Sequence, residues 1–284
     1  GVIIPPSILL IGWGWVMQVS VGALFLGGAT PGRMIGLALM ATVYGFAKAR
    51  NYPVTATPNW GEFWAAWKGA ALALLTPIFV IGGIVGGLVT PTESAIIAAG
   101  YALILGMFVY RTVTPKDLGG ILYDTARFAA ISLFAIGTAS AFGWLLSFYN
   151  APRLIVSVLT AWEFGPFGTA LLIAALFLIF GLFIDAIPTI IILGTVLMPV
   201  AQAGVVDPIA FAIIGIVSLA FGLVTPPYGL CLLISAAIGG LNVVQVLREV
   251  VFILAPMLII LIMLAAFPEI ILWLPKTVMT EAFQ

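Results

Sequence analysis

The sequence predicts an all-α membrane protein that crosses the bilayer several times. Of its 284 residues, 63% are hydrophobic and 7% are charged, and the mean hydropathy is +1.28. Apolar segments of about 20 residues, the length that an α-helix needs to span a bilayer, recur along the chain. Two Pro-Pro pairs interrupt apolar stretches. These observations predict a polytopic bundle in which some transmembrane helices are broken.

The charged and reactive side chains argue against several classes of function. Ten basic and ten acidic residues give a formal net charge of zero, and nothing in the chain favours nucleic-acid binding. Histidine is absent, which removes the most common general base and metal ligand. Cys231 is the only cysteine. An intramembrane aspartyl protease needs two facing aspartates, and only Asp185 lies deep in an apolar stretch. We therefore expect no enzyme and no cofactor other than a coupling ion.

Two similar Pro-Pro motifs stand at residues 1–7 (Gly-Val-Ile-Ile-Pro-Pro-Ser) and 222–228 (Gly-Leu-Val-Thr-Pro-Pro-Tyr). Proline has no N–H and cannot continue a helix through the preceding turn, but its fixed φ suits the first position of a new helix. We predict that each pair divides a helix into two halves, and that its first proline opens the second half. Because lipid cannot satisfy the backbone groups freed at a break, these groups are available to ions and anionic ligands.

The first part of the chain is predicted to contain a half-helix, a turn and a further span. Residues 7–27 continue the first broken helix, and the Gly-Gly-Ala-Thr-Pro-Gly cluster at residues 27–32 predicts a turn. A span follows from Arg33 to about Lys48. Residues 59–68, which are rich in tryptophan, predict either a helix along the lipid headgroups or the wet end of the next span.

A helix start in the middle of the chain contrasts with the second Pro-Pro motif. Thr90, Pro91 and Glu93 have the spacing of a capping box, in which the glutamate satisfies the helix start from within. The opening at Thr225 has no carboxylate at the same offset, so we expect the N–H groups of its helix to stay available for a ligand. This contrast favours the second Pro-Pro motif as the ligand site.

An apolar stretch from residue 165 to residue 206 holds a single charge, Asp185. Its arms, residues 167–184 and 190–202, are near or below the length of a full crossing, and Pro188 forces a break beside the carboxylate. A re-entrant helical hairpin with Asp185 near its tip is the favoured prediction, because an ionised carboxylate at membrane depth costs about 2.5–3.5 kcal/mol and is functional by default. The alternative makes Asp185 only the cap of the next helix.

The last part of the chain is predicted to hold the second broken helix and one final span. Asp207 is interpreted as a plain N-cap. Residues 208–221 and 228–238 are the two halves of the broken helix, and residues 241–273 form the last span.

Taken in order, these motifs resemble those of one known family. They are the two Pro-Pro motifs, residues 24–32, residues 87–93 and the hairpin around Asp185. Over essentially its whole length the chain resembles the large membrane subunit, of DctM type, of tripartite ATP-independent periplasmic (TRAP) transporters. Relative to that family we expect an N-terminal portion to be missing, including a first re-entrant hairpin with a Ser-Gly-Ser signature.

The resemblance implies a fold of two inverted repeats, each with a re-entrant hairpin and a broken helix, and an elevator-type transport domain that moves against a scaffold. In chain order, it implies the end of the first repeat, in the transport domain, at residues 1–32; a scaffold span and interfacial arm helix at 33–68; scaffold and second-repeat spans at 69–150; the hairpin and second broken helix of the transport domain at 151–240; and a final span and tail at 241–284.

The resemblance also implies sodium-driven uptake of an organic acid, such as a C4-dicarboxylate or sialic acid, across the bacterial inner membrane. A periplasmic binding protein would deliver the acid, and a small membrane subunit would complete the complex. The binding residues that the resemblance carries over are Ile4, Pro5, Pro6, Ser7, Asp185, Thr189, Gly222, Val224, Thr225, Pro226 and Pro227, with Tyr228 at the place of the serine in the first motif.

Within this set, the candidate sodium ligands are the carbonyl groups of Gly222 and Val224, the Thr225 hydroxyl and Asp185, because unwound backbone and oxygen groups suit a hard cation. Two alternatives stay open. One is a single-component sodium-coupled dicarboxylate carrier, which can share broken helices. The other is a purely structural membrane scaffold, which would leave two costly helix breaks unexplained.

Overall fold

The computed structural model describes residues 2–53, 59–160, 164–227 and 229–279. Within these residues the regular secondary structure is entirely helical, as predicted. The helices in chain order are α1 Ile8–Met17, α2 Val21–Ala49, α3 Trp60–Val85, α4 Pro91–Ile104, α5 Leu118–Phe148, α6 Ala151–Thr160, α7 Pro166–Gly181, α8 Ala186–Thr189, α9 Thr195–Ala203, α10 Pro208–Gly222, α11 Leu230–Gly239, α12 Val243–Ala266 and α13 Glu269–Val278, with π-helical turns at Leu105–Val109 and Ile190–Gly194.

Six helical segments of the described part are long and apolar enough to cross a membrane. They are α2, α3, α4 with its π-helical turn, α5, the run Ala186–Ala203 and α12. Four further apolar helices, α1, α7, α10 and α11, are shorter. This mixture of long and short apolar helices supports the prediction of a multi-pass membrane protein. The chain divides into two compact units, Gly1–Tyr44 with Ala135–Gln284, and Gly45–Phe134.

The first unit is built around α10. Every residue of this helix from Ile209 to Gly222 is buried, and α1, α7, α9, α12 and α13 pack against it. A helix that is apolar on all sides has to be surrounded by other apolar elements. Its start is closed by Asp207, whose Oδ1 accepts hydrogen bonds from the N–H of Ile209 at 2.8 Å and of Ala210 at 3.4 Å. The predicted N-cap is confirmed.

Helix α2 runs without interruption through the glycine-rich cluster at residues 27–32, so the predicted turn is wrong. Gly27, Gly28, Pro31 and Gly32 are buried inside the helix. A Cβ added to Gly27 would lie 3.0 Å from Cγ2 of Ile209, so the small residue is needed for close packing. Packing has overridden the local turn preference. The helix also crosses the predicted division at residues 32 and 33, and the domain divisions themselves stay predictions.

The second unit pairs α3 with α4. The Tyr101 hydroxyl donates to the Leu72 carbonyl at 2.9 Å, and the Tyr110 hydroxyl donates to the Gly69 carbonyl at 3.0 Å. Residues 59–68 are the beginning of α3, since Asn59 caps this continuous helix. Most apolar side chains of the unit face outward, as expected for helices that contact lipid or other membrane segments.

The capping box at the start of α4 is present as predicted. Oγ1 of Thr90 accepts from the N–H of Glu93 at 3.3 Å, and Oε2 of Glu93 accepts from the N–H of Thr90 at 2.8 Å. Oε2 also accepts from the Thr90 hydroxyl at 2.8 Å. The first orphan N–H groups of this helix are therefore satisfied internally.

The predicted final span at residues 241–273 is divided in two. Helix α12 ends at Ala266, and α13 begins at Glu269. Phe267, with φ −129° and ψ 72°, is not helical, because a residue before proline is pushed out of the α region and Pro268 follows it.

Candidate functional site

The second Pro-Pro motif interrupts a helix, as predicted. Helix α10 ends at Gly222 and α11 begins at Leu230, with a non-helical segment between them. The Pro226–Pro227 peptide bond is cis, and Gly229 has a φ of +38°. Tyr228 lies outside the described residues. A helix interrupted in this way exposes backbone groups that a continuous helix would pair.

The carbonyl groups at this break differ in the hydrogen bonds that they accept. The Gly222 oxygen accepts a long hydrogen bond from the N–H of Thr225, at 3.4 Å, and the Leu223 oxygen accepts one from the N–H of Cys231, at 2.9 Å. Among the described residues, no backbone N–H reaches the carbonyl oxygens of Val224 and Thr225, and no hydrogen bond involves the Thr225 hydroxyl. Within the described residues, Val224 and Thr225 of the predicted sodium ligands therefore offer unpaired oxygens, and Gly222 offers a weakly paired one.

The first Pro-Pro motif also lies in a non-helical segment that precedes a helix. Its Pro5–Pro6 peptide bond is also cis, and α1 begins only at Ile8. Ser7 stands at the N-cap but its side chain makes no capping hydrogen bond. The hydroxyl instead donates to the carbonyl of Val2, and Ser7 is buried. The Ser7 side chain therefore bonds to the segment before α1 and does not cap the start of α1.

The prediction that the first proline of each pair opens a half-helix is wrong. The helices start at Ile8 and Leu230, beyond both prolines. The first proline of a pair is itself a residue before proline, and such residues are excluded from the α region. At Pro91, where no second proline follows, the helix does begin at the proline. Thr225 is therefore not the N-cap of α11, and its substitution removes no helix cap.

The two breaks line one cavity of about 420 Å³ in the first unit. Ile4 belongs to the first break and Val224 to the second, and both contribute to its wall. Other parts of the wall come from α2, α11 and α12, and they are almost entirely apolar. Asp185, Thr189 and the four prolines are not among the residues that line it. The structure thus brings the two motifs to one place, although they are far apart in sequence.

Two glycines that sequence reasoning assigned to a turn hold the first break in place. A Cβ on Gly28 would lie 2.9 Å from the carbonyl oxygen of Ile3, and a Cβ on Gly32 would lie 2.6 Å from Cγ1 of Ile4. Residues four apart lie on the same face of a helix. The four-residue spacing of Gly28 and Gly32 was the available signal for a groove on α2 that receives the first break.

Asp185 lies in the short connection between α7 and α8. It occupies the N-cap position of α8, with φ −60° and ψ 154°, but its side chain makes no capping hydrogen bond and is exposed. Its main-chain carbonyl accepts from both the N–H of Thr189, at 3.1 Å, and the Thr189 hydroxyl, at 2.8 Å. The carboxylate of Asp185 is therefore not used to close the helix, whereas the hydrogen of the buried Thr189 hydroxyl is committed to the backbone.

A backbone contact joins the connection that carries Asp185 to the second break. A Cβ added to Gly222 would overlap the carbonyl group of Gly181 and would lie 2.9 Å from its Cα. A Cβ on Gly181 would in turn lie 3.3 Å from the Cα of Leu219. Helices α7 and α10 thus touch main chain to main chain where both of them end. The chain leaves this contact toward Asp185 on one side and toward Thr225 on the other.

The chemistry available here is that of oxygen groups and helix ends. Among the described residues, no group of three or more His, Cys, Asp or Glu side chains is placed to hold a metal ion. Within the part of the chain that the structure describes, the site instead presents carbonyl oxygens of Val224 and Thr225 that accept no hydrogen bond, the Thr225 hydroxyl, the Asp185 carboxylate and the starts of the two helices α1 and α11. Such an arrangement suits a monovalent hard cation together with an anionic group.

Comparison with known proteins agrees with this reading. The family model described as "Tripartite ATP-independent periplasmic transporter, DctM component" matches residues 1–270. The sialic acid TRAP transporter large permease protein SiaM of Vibrio cholerae is 36% identical over 276 residues, which are 97% of this chain and 65% of that protein. The isethionate TRAP transporter permease protein DctMQ of Oleidesulfovibrio alaskensis is 35% identical, over 95% of this chain and 43% of that protein.

A third relative, the C4-dicarboxylate TRAP transporter large permease protein DctM of Pseudomonas aeruginosa, is 32% identical over 97% of this chain and 65% of that protein. The chain therefore spans less than two thirds of the length of each of these relatives.

Proposed function

The chain belongs to the DctM family of large membrane subunits of TRAP transporters, and from this membership we propose that it is part of the permease of a sodium-coupled importer of an organic acid. The observation that supports the proposal most strongly is the convergence of the two Pro-Pro motifs, each in a non-helical segment before a helix, on one cavity. A purely structural membrane protein gains nothing from two breaks that leave backbone oxygens unpaired.

The substrate is proposed to be a small carboxylate or related acid anion. The relatives are named for sialic acid, isethionate and C4-dicarboxylate, which have an acidic group in common. In this chain, the starts of α1 and α11 carry the positive ends of the helix dipoles, and within the described residues neither start has a side-chain cap. We propose that these ends bind the acidic group and that the cavity accommodates the remainder of the substrate.

The sodium site is proposed at the second break. Its ligands would be the carbonyl oxygens of Gly222 and Val224 and the Thr225 hydroxyl, with Asp185 contributing a carboxylate or a nearby negative charge. The unpaired oxygen of Val224 supports this assignment, and the backbone contact at Gly181 holds the two segments near each other. A bound cation would offset both the unpaired carbonyls and the charge of the incoming acid, which links the two binding events.

Transport is proposed to follow an elevator mechanism. Helix α7 and the run Ala186–Ala203 would form a re-entrant hairpin with Asp185 at its tip. The short turn between them, and the close approach of Gly204 to Thr169 at their other ends, support this proposal. In this scheme a periplasmic binding protein delivers the acid, a small membrane subunit completes the complex, and the assembly works in the bacterial inner membrane.

The test is uptake by the complete transporter that contains this chain, reconstituted with its binding protein in proteoliposomes. Thr225→Ala and Asp185→Asn are expected to raise the sodium concentration for half-maximal uptake by about tenfold or more, because a contact to a charged group contributes about 1.5–3 kcal/mol. Thr92→Ala and Asp124→Asn, at exposed positions of α4 and α5, are the matched controls.

Unchanged sodium dependence in both variants would show that the site assignment is wrong. Uptake that needs no binding protein would favour the single-component carrier. If uptake by the unaltered transporter does not depend on sodium, the proposed sodium coupling is refuted.

A further inference from the structure

We propose that Trp13 is a positioning residue that holds the first break in place against the helices that lead to the second break and to Asp185. The proposal rests on the proposed sodium-coupled function. Trp13 lies in α1, the helix that follows Pro5 and Pro6, and it is fully buried. A rigid aromatic side chain at this position transmits the placement of one break to its neighbours.

The indole of Trp13 contacts two other helices through aromatic rings. Its ring centroid lies 5.3 Å from that of Phe177 in α7 and 5.2 Å from that of Phe211 in α10. Phe177 and Phe211 also contact each other, at 6.0 Å. Both phenylalanines are fully buried. The three rings therefore form a closed cluster with one member from each of α1, α7 and α10.

A glycine provides the space for the indole. A Cβ added to Gly215 would lie 2.5 Å from Cη2 and 2.8 Å from Cζ3 of Trp13. It would also lie 3.2 Å from Cε2 of Phe177. Trp13 and Gly215 are thus a size-matched pair, in which a larger residue on α10 requires a smaller one on α1.

The helices in this cluster each lead to a part of the candidate site. Helix α7 continues through Gly181 to Asp185, and α10 continues to Gly222 and the second break. Met17, at the end of α1, is in contact with Gly194 of the π-helical turn that follows Thr189. Helix α1 therefore contacts both segments on either side of Asp185 as well as the helix that carries the second break.

Within the described residues, hydrogen bonding does not account for the position of the Trp13 indole. Its Nε1 is buried and has no hydrogen-bond partner within the described residues. A buried donor without a partner is unfavourable, so no hydrogen bond explains tryptophan at this position. The features that remain are ring size and the aromatic contacts with Phe177 and Phe211, and these can be tested by substitution.

The experiment measures sodium-dependent uptake by the complete reconstituted transporter, with the folded fraction checked by size-exclusion chromatography. Trp13→Phe and Gly215→Ala are each expected to raise the sodium concentration for half-maximal uptake by roughly 2- to 30-fold, the range for substitutions that alter coupling without contacting a ligand. Trp15→Phe, at an exposed position of α1, and Gly12→Ala, which meets nothing within 4 Å, are the matched controls and should leave it unchanged.

The double variant Trp13→Phe with Gly215→Ala decides between positioning and general destabilisation. The added methyl group occupies space that the smaller ring vacates, so the half-saturating sodium concentration should return toward that of the unaltered protein. Folded single variants with unchanged sodium dependence, or a double variant that is impaired as much as both singles combined, would overturn the proposal. If the unaltered transporter needs no sodium, the proposed function fails before Trp13 is tested.

Discussion

The contact between Gly181 and Gly222 provides the sharpest test of the structure. Gly222→Ala places a methyl group where the carbonyl group of Gly181 lies, and neither partner is a flexible side chain. Overpacking of this kind costs about 1–3 kcal/mol, and two main chains in contact favour the upper end. Alanine regains about 1 kcal/mol of helix propensity, so a net loss of about 2 kcal/mol is expected.

The assay is thermal unfolding of the purified complete transporter, with and without sodium. For a unit of this size, a loss of about 2 kcal/mol lowers the midpoint by about 4–8 °C. Because a ligand that binds only the folded state raises the midpoint, a displaced second break should also reduce the increase produced by sodium.

The control is Gly12→Ala, since an added Cβ there meets nothing within 4 Å. It should leave the midpoint unchanged or raise it slightly. Equal midpoints and equal sodium effects for Gly222→Ala and Gly12→Ala would refute both the close backbone approach and its role in placing the site.

Three further predictions concern other parts of the chain. Thr90→Ala breaks the capping box and should lower the free energy of unfolding by about 1 kcal/mol without altering sodium-dependent uptake, as thermal unfolding and transport assays will show. Gly32→Ala places a Cβ 2.6 Å from Cγ1 of Ile4, so it should displace the first break and reduce uptake in proteoliposomes, unlike Gly45→Ala, which meets nothing within 4 Å. Hydrogen bonds from the hydroxyl and the N–H of Thr114 lower the pKa of Asp117, so the carboxylate stabilises the fold above the unfolded pKa of about 3.9 and loses this effect as the pH falls through its folded pKa. The unfolding midpoint should therefore depend less on pH below about pH 4 in Asp117→Asn than in the unaltered protein.

The features predicted correctly from the sequence depend on neighbours in the chain. The interruption after Gly222 follows from the missing N–H and fixed φ of proline, and the caps at Thr90 and Asp207 follow from side chains within three residues of the groups that they satisfy. The second half of this broken helix was predicted at residues 228–238, and α11 lies at Leu230–Gly239, beyond both prolines, because Pro226 is itself a residue before proline.

The turn that was predicted wrongly at residues 27–32 depends on distant partners. The cluster at residues 27–32 has the composition of a turn, yet it lies inside α2 because its small residues pack against Ile3, Ile4 and Ile209. Taken singly, neither Gly28 nor Gly32 differs from a glycine that permits a turn. Only their four-residue spacing, which puts both on one face of a helix, indicates a groove that receives another segment. The final span was also drawn through Pro268, although α12 and α13 are separate helices; here the cause is local, because Phe267 precedes a proline and is pushed out of the α region.

Composition and local chain stereochemistry determined that this protein is helical and multi-pass and that its two Pro-Pro motifs lie outside the helices. Apolar side chains and prolines impose these properties wherever they stand in a membrane protein, because lipid accepts neither charge nor unpaired backbone. Tertiary packing alone decided that the two breaks share a cavity, that Gly181 meets Gly222 and that Trp13 lies against Gly215. Those contacts join residues far apart in the chain, and their geometry depends on the shapes of both partners at once.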